Sequence, residues 1–323
     1  MGKLYGCVDE LVSEPPGIAE SPSQAAESRG FAAHDGRSMH RLAAMLLTPQ
    51  WSWWPAIAIA FCCLIPMASS NAEEFPELNT DRDGFTPSAF VVDQGRVLVE
   101  TSYVYIQNRV GRPSNAYPEL LFRIGATEWL EFRLGANYEV GSQGSVVTNV
   151  EVGEAENIGK SSYESSILYG LKAALTDQDG LLPQACFIME GDTPTYGEEF
   201  GTLPIATVVA GWELPFGFAR HDARPWRLDT AMRYSSLQSG DSWFNRWAPS
   251  ALVRMPVTER FEVHVEWFGT YSDGLAPEAS RPFFSPGAHY ALMERFEIGL
   301  RVGWGLSPQA ANFFSDVGCA WLY

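Results

Sequence analysis

Beyond residue 72 this chain has no apolar run approaching the roughly 20 residues that a membrane helix requires. If it crosses a membrane, it must do so as strands. Charge is sparse: Asp, Glu, Lys and Arg make up 19% of the 323 residues, and positive charge is scarcer still, with 22 Lys and Arg against 39 Asp and Glu for a net charge of −17. A nucleic-acid binder needs basic surface to neutralise phosphates, so that class is excluded. Of the five cysteines, Cys7, Cys62 and Cys63 fall in a region expected to be removed. That leaves Cys186 and Cys319, which nothing in the pattern requires to pair. Catalytic signatures are missing as well: no Gly-x-Ser-x-Gly, His-x-His or Cys-x-x-Cys occurs beyond residue 72. His264 is the best candidate base, but no serine lies two residues away on its face, and His221 and His289 are isolated. No catalytic residue, cofactor or metal site is expected, and an outer-membrane hydrolase is the least supported class. The acidic stretch 151–156, with Glu190, Asp192, Glu198 and Glu199 in the next loop, reads as solvated.

Aromatic residues, by contrast, are abundant at 13%, and one short unit recurs. It reads Ala126-Thr127-Glu128-Trp129-Leu130-Glu131, then Val257-Thr258-Glu259-Arg260-Phe261-Glu262, then Leu292-Met293-Glu294-Arg295-Phe296-Glu297. Each copy opens a strictly alternating run: Phe132 to Tyr138, Val263 to Trp267, and Ile298 to Trp304. One face of each run is apolar and aromatic; the other carries Glu, Arg, His, Asn and Gly. A polar turn feeding a period-two strand, used repeatedly, is the pattern of an antiparallel barrel.

The fold expected is all-β: an antiparallel up-and-down transmembrane barrel of about 12 strands, preceded by a disordered or helical targeting segment. Strands are expected at 96–107, 117–124, 129–139, 165–175, 183–190, 203–214, 225–237, 244–255, 260–271, 284–292, 295–305 and 313–323. Turns at 126–128, 176–180, 257–259 and 293–294 are short, with 216–224 the long exception. The opposite set, 110–116, 141–163, 191–201 and 272–282, is longer and rich in Gly, Ser, Asn, Asp and Pro. Short periplasmic turns facing long external loops fit an outer-membrane barrel. Residues 1–72 read as an N-terminal extension and secretory signal: Arg37, His40 and Arg41, an apolar run at 54–67, then small residues ending Ser70-Asn71-Ala72. The polar stretch 1–38 places the true start at Met39 or Met45. Residues 73–95 read as an extended periplasmic lead-in, and 96–323 as the barrel.

The stretch 79–88, Gly95-Arg96-Val97-Leu98-Val99-Glu100, the strand Pro118-Glu119-Leu120-Leu121-Phe122-Arg123-Ile124-Gly125 with its Thr127-Glu128-Trp129-Leu130-Glu131 turn, and Gly303-Trp304-Gly305-Leu306-Ser307 together resemble one family. It is the bacterial outer-membrane family described as "Putative MetA-pathway of phenol degradation". The resemblance covers roughly residues 76–323 and rests on turn and strand patterns. It implies an outer-membrane barrel and, through the family's link to phenol degradation, passage of small aromatic or apolar molecules. The loop 141–163 stands out as an insertion against that pattern.

Strand parity sorts the side chains. Glu131, Glu262 and Glu297 are equivalent and face the lumen, as do Arg133, His264, Glu266 and Arg301; Glu100, Glu119, Arg123, Arg227, Asp229 and Arg233 join them by the same parity. An ionisable group facing hydrocarbon costs a few kcal/mol, so these should point inward. Two readings stand: a charged pore lining that sets selectivity, or Arg–Glu ladders that fill a narrow lumen. The near balance of opposite charges favours the second. Tyr105, Tyr138, Tyr234, Tyr271 and Trp304 fall near external strand ends, and Trp212, Trp226, Phe261, Phe296 and Tyr323 near periplasmic ends. Amphipathic rings favour the headgroup level, so these are expected interface girdles. The partners expected are the outer-membrane lipid bilayer, the barrel-assembly machinery (through the C-terminal strand ending on Tyr323) and a small-molecule solute, with no nucleic acid. The function expected is a passive pore or facilitator; the alternative is a closed structural or ligand-binding barrel.

Overall fold

The computed structural model describes residues 78–82, 84–142, 146–148, 161–196, 201–216, 224–239, 242–274 and 277–323. The expected targeting segment 1–72 lies outside the described residues, together with the proposed starts and the three N-terminal cysteines. Among the described residues the chain forms β1 (Val97–Gln107), β2 (Ser114–Gly125), β3 (Leu130–Ser142), β4 (Ser161–Thr176), β5 (Gln184–Tyr196), β6 (Leu203–Glu213), β7 (Arg227–Ser239), β8 (Ser242–Pro256), β9 (Phe261–Asp273), β10 (Ser280–Met293), β11 (Phe296–Gly305) and β12 (Phe313–Leu322). Each strand pairs antiparallel with its sequence neighbours, and β1 pairs with β12 to close a twelve-stranded barrel. The seam is completed by mutual backbone hydrogen bonds between Val97 and Tyr323, 3.3 and 2.8 Å. Closure leaves no unpaired edge, the condition for strands to cross hydrocarbon.

The strand count matches the expectation, and several boundaries move outward. β5 runs to Tyr196 because Asp192, Thr193 and Pro194 still pair with Leu168, Ile167 and Ser166. β4 and β10 likewise each start four residues earlier than expected. Polar, Gly- and Pro-rich sequence reads as loop, but a barrel wall gives it partners on both sides. The recurring unit makes the same turn in two copies. Thr127 and Thr258 accept backbone N–H bonds two residues on, from Trp129 and Arg260, both at 3.3 Å, while their own amides donate to Leu130 and Phe261. The third copy has Met293 in place of threonine and closes as a two-residue turn, Glu294-Arg295, with Met293 opposite Phe296.

The largest departure concerns the lead-in. The described part of 73–95 is not an extended lead-in outside the wall; it folds into the barrel. Leu78 and Val92 share a cluster with Leu98, Ala320 and Leu322 at the strand-start end, while Phe85 packs deeper with Val104, Ile106, Ala310 and Ala311. The segment therefore enters at one rim, rises to Phe85 and returns. Two glycines allow its exit. Gly95 adopts φ 79° in the turn before β1, and a Cβ on Gly125 would collide with the Asp93 carbonyl oxygen. The 141–163 loop also contributes inward: Val146, Val147 and Thr148 are buried in the same interior as Phe85. The rest of that insertion lies largely outside the described residues.

Candidate functional site

The interior is built from alternate strand positions. In β1, Leu98, Glu100, Ser102, Val104 and Ile106 are buried, and the residues between them face outward. The same parity buries Glu119 and Arg123 on β2, Glu131 and Arg133 on β3, Arg227, Asp229 and Arg233 on β7, Glu262, His264 and Glu266 on β9, and Arg301 on β11. Glu297 shares that face and is partly exposed. On the outer face, Phe132, Leu134, Ile298 and Leu300 are exposed.

These wall groups bind the inner segment. Glu100 accepts the amides of Asp81 and Arg82 at 2.9 and 2.8 Å. Glu266 accepts those of Phe85 and Thr86 at 3.1 and 2.6 Å, and Glu131 accepts Val92 N at 2.9 Å. Five amides of a segment without a strand of its own are thus satisfied by three wall carboxylates, which burial requires. Asp81 is the central ionic contact from the segment. Its carboxylate meets Arg133 Nη1 at 2.5 Å, Lys172 Nζ at 3.0 Å and Arg123 Nη1 at 3.3 Å. Arg123 also holds Glu131 in two parallel bonds of 2.8 and 2.9 Å, approaches Glu100 at 3.3 Å, and donates to the carbonyls of Asn79 and Phe90. Arg133 continues to Glu190 at 2.6 Å. Asp81 belongs to no membrane-crossing strand. Burial disfavours its charged form, but the fields of Arg123, Lys172 and Arg133 outweigh that and hold its carboxyl far below the usual carboxylate range.

A second network links the segment to the described residues of the 141–163 loop. Glu119 pairs with the Arg82 guanidinium and also accepts from Thr148 Oγ1 at 3.1 Å. Arg301 reaches Glu266 at 3.1 Å, Asp316 at 3.2 Å and the Val147 carbonyl at 2.6 Å. Arg233 donates to the Thr148 carbonyl at 3.5 Å. A third group joins Asp229 to Arg227 at 3.0 Å and to Arg254 at 3.6 Å, with Arg227 lying over the Phe90 ring at 4.2 Å. Glu262 faces Arg224 at 4.0 Å, and Glu297 contacts His289 at 2.8 Å. His264 packs edge-on against His289, ring centroids 4.8 Å apart. The three repeated glutamates thus share a face but differ in partners; of the three, Glu131 receives an amide from the inner segment. Between these networks lies a small cavity bounded by Phe85, Arg133, Glu190 and Arg233, about 10 Å³, room for at most a single water. The described residues hold no group of three His, Cys, Asp or Glu side chains able to bind a metal, and Cys186 and Cys319 form no disulfide with each other.

The expected girdle aromatics sit on the outer face, with one departure. Tyr138, Trp304 and Tyr323 are exposed, and Tyr105, Trp212, Trp226, Tyr234, Phe261 and Tyr271 are half-buried. Phe296 is buried, covered at least in part by the edge-on Trp321 ring at 5.6 Å, which stacks on Tyr323 in turn. Register adds rings that sequence inspection passed over. Trp247 stands between Tyr234 and Tyr271, and Phe284 and Phe313 flank Trp304. Also missed were Asp81 and Arg82, which no strand pattern marks, and Lys172, Arg254 and Asp316, which alternation along β4, β8 and β12 does mark.

A family model described as "Putative MetA-pathway of phenol degradation" matches residues 80–323, taking in most of the inner segment as well as all twelve strands. Among solved structures, an outer membrane channel from Pseudomonas putida F1 is similar, with a TM-score of 0.50 and 11% identity over 73% of this chain and 98% of that one. At that identity the likeness establishes the barrel fold. A NanC porin overlaps less, with a TM-score of 0.43 and 12% identity over 70% of this chain and 98% of that one. The translocator domain of the autotransporter NalP from Neisseria meningitidis gives 0.44 and 11% over 70% and 87%. No curated protein sequence matches the chain.

Proposed function

The chain belongs to the family described as "Putative MetA-pathway of phenol degradation", and from that membership and the filled lumen we propose that it is an outer-membrane facilitator for small aromatic or apolar molecules, exported through a cleaved signal. The observation that carries this reading is how the lumen is filled. The inner segment is joined to the wall by side-chain hydrogen bonds and ion pairs and contributes no strand to the ladder. The barrel is complete without it, so the segment is free to leave while the wall stays intact. Passage then follows displacement of 78–92 and of the loop residues 146–148. Inward side chains, being unpaired with lipid, are free to set selectivity.

The test is uptake of labelled toluene, phenol and glucose by cells with an intact lipopolysaccharide layer, with and without the chain. Faster entry of the two aromatic compounds is the expected result; identical rates for all three solutes would refute it. The cavity of about 10 Å³ favours a second reading, a barrel that stays closed and binds without transporting. Bilayer recordings without channel events at any voltage would select it.

A further inference from the structure

The apolar half of the lumen holds an ordered set of rings. Phe85 of the inner segment lies parallel to Phe268 of β9, centroids 4.5 Å apart at 6°. Phe268 lies in turn on Phe283 of β10 at 5.0 Å and 15°. Phe314 of β12 meets Phe268 and Phe283 edge-on, at 6.0 and 5.8 Å. Three of the four rings belong to the wall, so the box persists when the segment leaves, and only its fourth place is then empty. The polar complement is beside it: Glu266 accepts the amides of Phe85 and Thr86 and also holds Arg301. On departure of the segment Glu266 keeps Arg301 and gives up two N–H donors, which opens acceptor positions to a donor on the incoming ring.

Resting on the facilitator reading above, we infer that Phe268, Phe283, Phe314 and Glu266 form a binding site for one aromatic ring bearing a hydrogen-bond donor, a phenol or an aromatic amine, and that Phe85 occupies this site in the closed state. The ring takes the stacked position of Phe85, where offset or edge-on aromatic contacts add to burial. Its O–H or N–H replaces an amide on Glu266. An aromatic carboxylate is disfavoured there by the Glu266 charge, and a saturated alcohol lacks the flat face. Ligand and Phe85 exclude each other, so occupancy of the site and release of the inner segment are one equilibrium, and the closed state lowers the apparent affinity by the fraction of time the site is filled.

The test is fluorine NMR titration of the purified full chain in detergent with para-fluorophenol, and with fluorobenzene as the donor-free ring. Folding of each variant is checked by its migration on unboiled gels. Phe85→Ala, which leaves the wall untouched, is expected to tighten para-fluorophenol binding about tenfold by removing the competitor. Adding Phe268→Leu to that variant is expected to abolish the gain, and adding Glu266→Gln to reduce the preference for para-fluorophenol over fluorobenzene. Unchanged affinity in Phe85→Ala, equal binding with and without Phe268→Leu, or equal binding of the two probes overturns the assignment. Because binding is read in detergent, it is independent of flux. Uptake without binding removes this site and leaves the facilitator reading standing; binding without uptake does the reverse.

Discussion

Neutralising Asp81 isolates the charge that docks the inner segment. Asp81→Asn keeps a side-chain oxygen to accept from Ser88 N, now 2.9 Å from Oδ1, and removes the charge facing Arg123, Arg133 and Lys172. All four groups are at most a few per cent exposed. Deleting one member of a buried ion pair costs about 3–5 kcal/mol, because the partner is left uncompensated. Glu131 and Glu190 still face Arg133 and Glu131 still brackets Arg123, so the lower figure applies. About 3 kcal/mol moves the docked-to-released ratio by roughly a hundredfold. The relief comes from releasing 78–92 into water rather than from opening the barrel, since Asp81 pairs with no strand backbone. The assay is open probability in planar bilayers, paired with the urea midpoint of the barrel. A large rise in open probability at a nearly unchanged midpoint is expected. Open probability equal to that of the parent would show that the ion cluster does not hold the segment.

Other consequences follow from the same contacts. Leu300 is 54% exposed on the outer face, so Leu300→Arg is expected to cost about 2–4 kcal/mol in the hydrocarbon and to impair refolding into vesicles; normal refolding would contradict the parity. Arg301→Leu, which parity alone suggests is mild, leaves Glu266 and Asp316 buried without that partner and is expected to raise conductance sharply; parent-like conductance would count against the loop–wall network. Thr258→Ala removes the acceptor for Arg260 and Phe261 amides and is expected to lower unfolding stability by about 0.5–1.5 kcal/mol in urea; a larger loss would mean that the turn does more than satisfy those amides. The Asp81 carboxyl is depressed in the docked state. A depressed carboxyl contributes docking stability above its undocked pKa, and that contribution falls as pH drops towards the docked value. Conductance is therefore expected to stay flat from neutrality to about pH 5 and to rise below about pH 4; a rise confined to pH 6–7 would implicate another group.

Most of the wall was legible because period-two alternation is local. Phe132-Arg133-Leu134 announces its faces without knowledge of any neighbour, and Thr127 and Thr258 announce their turns. The interior was legible only in part. Alternation places Glu100, Glu131 and Glu266 inward but cannot say what they bind, since their shared role is to accept amides from a segment up to 181 positions away. The stretch around Asp81 and Phe85 is polar and turn-rich, which reads as solvated chain. Its burial depends on Arg123, Arg133 and Lys172, contributed by three different strands. Phe85 and Phe90, two aromatics amid that polarity, are the local signs. Phe296 shares the parity of the exposed Ile298 and Leu300, but its burial depends on Trp321, brought beside it only by the β11–β12 register.

In the proposed gate, 78–92 closes a wall that stands without it. Single-channel recording of the intact chain against a variant lacking residues 78–92 tests this directly. The expected result is a folded barrel with larger and longer openings in the variant. A variant that folds equally well yet conducts no more than the intact chain would contradict it.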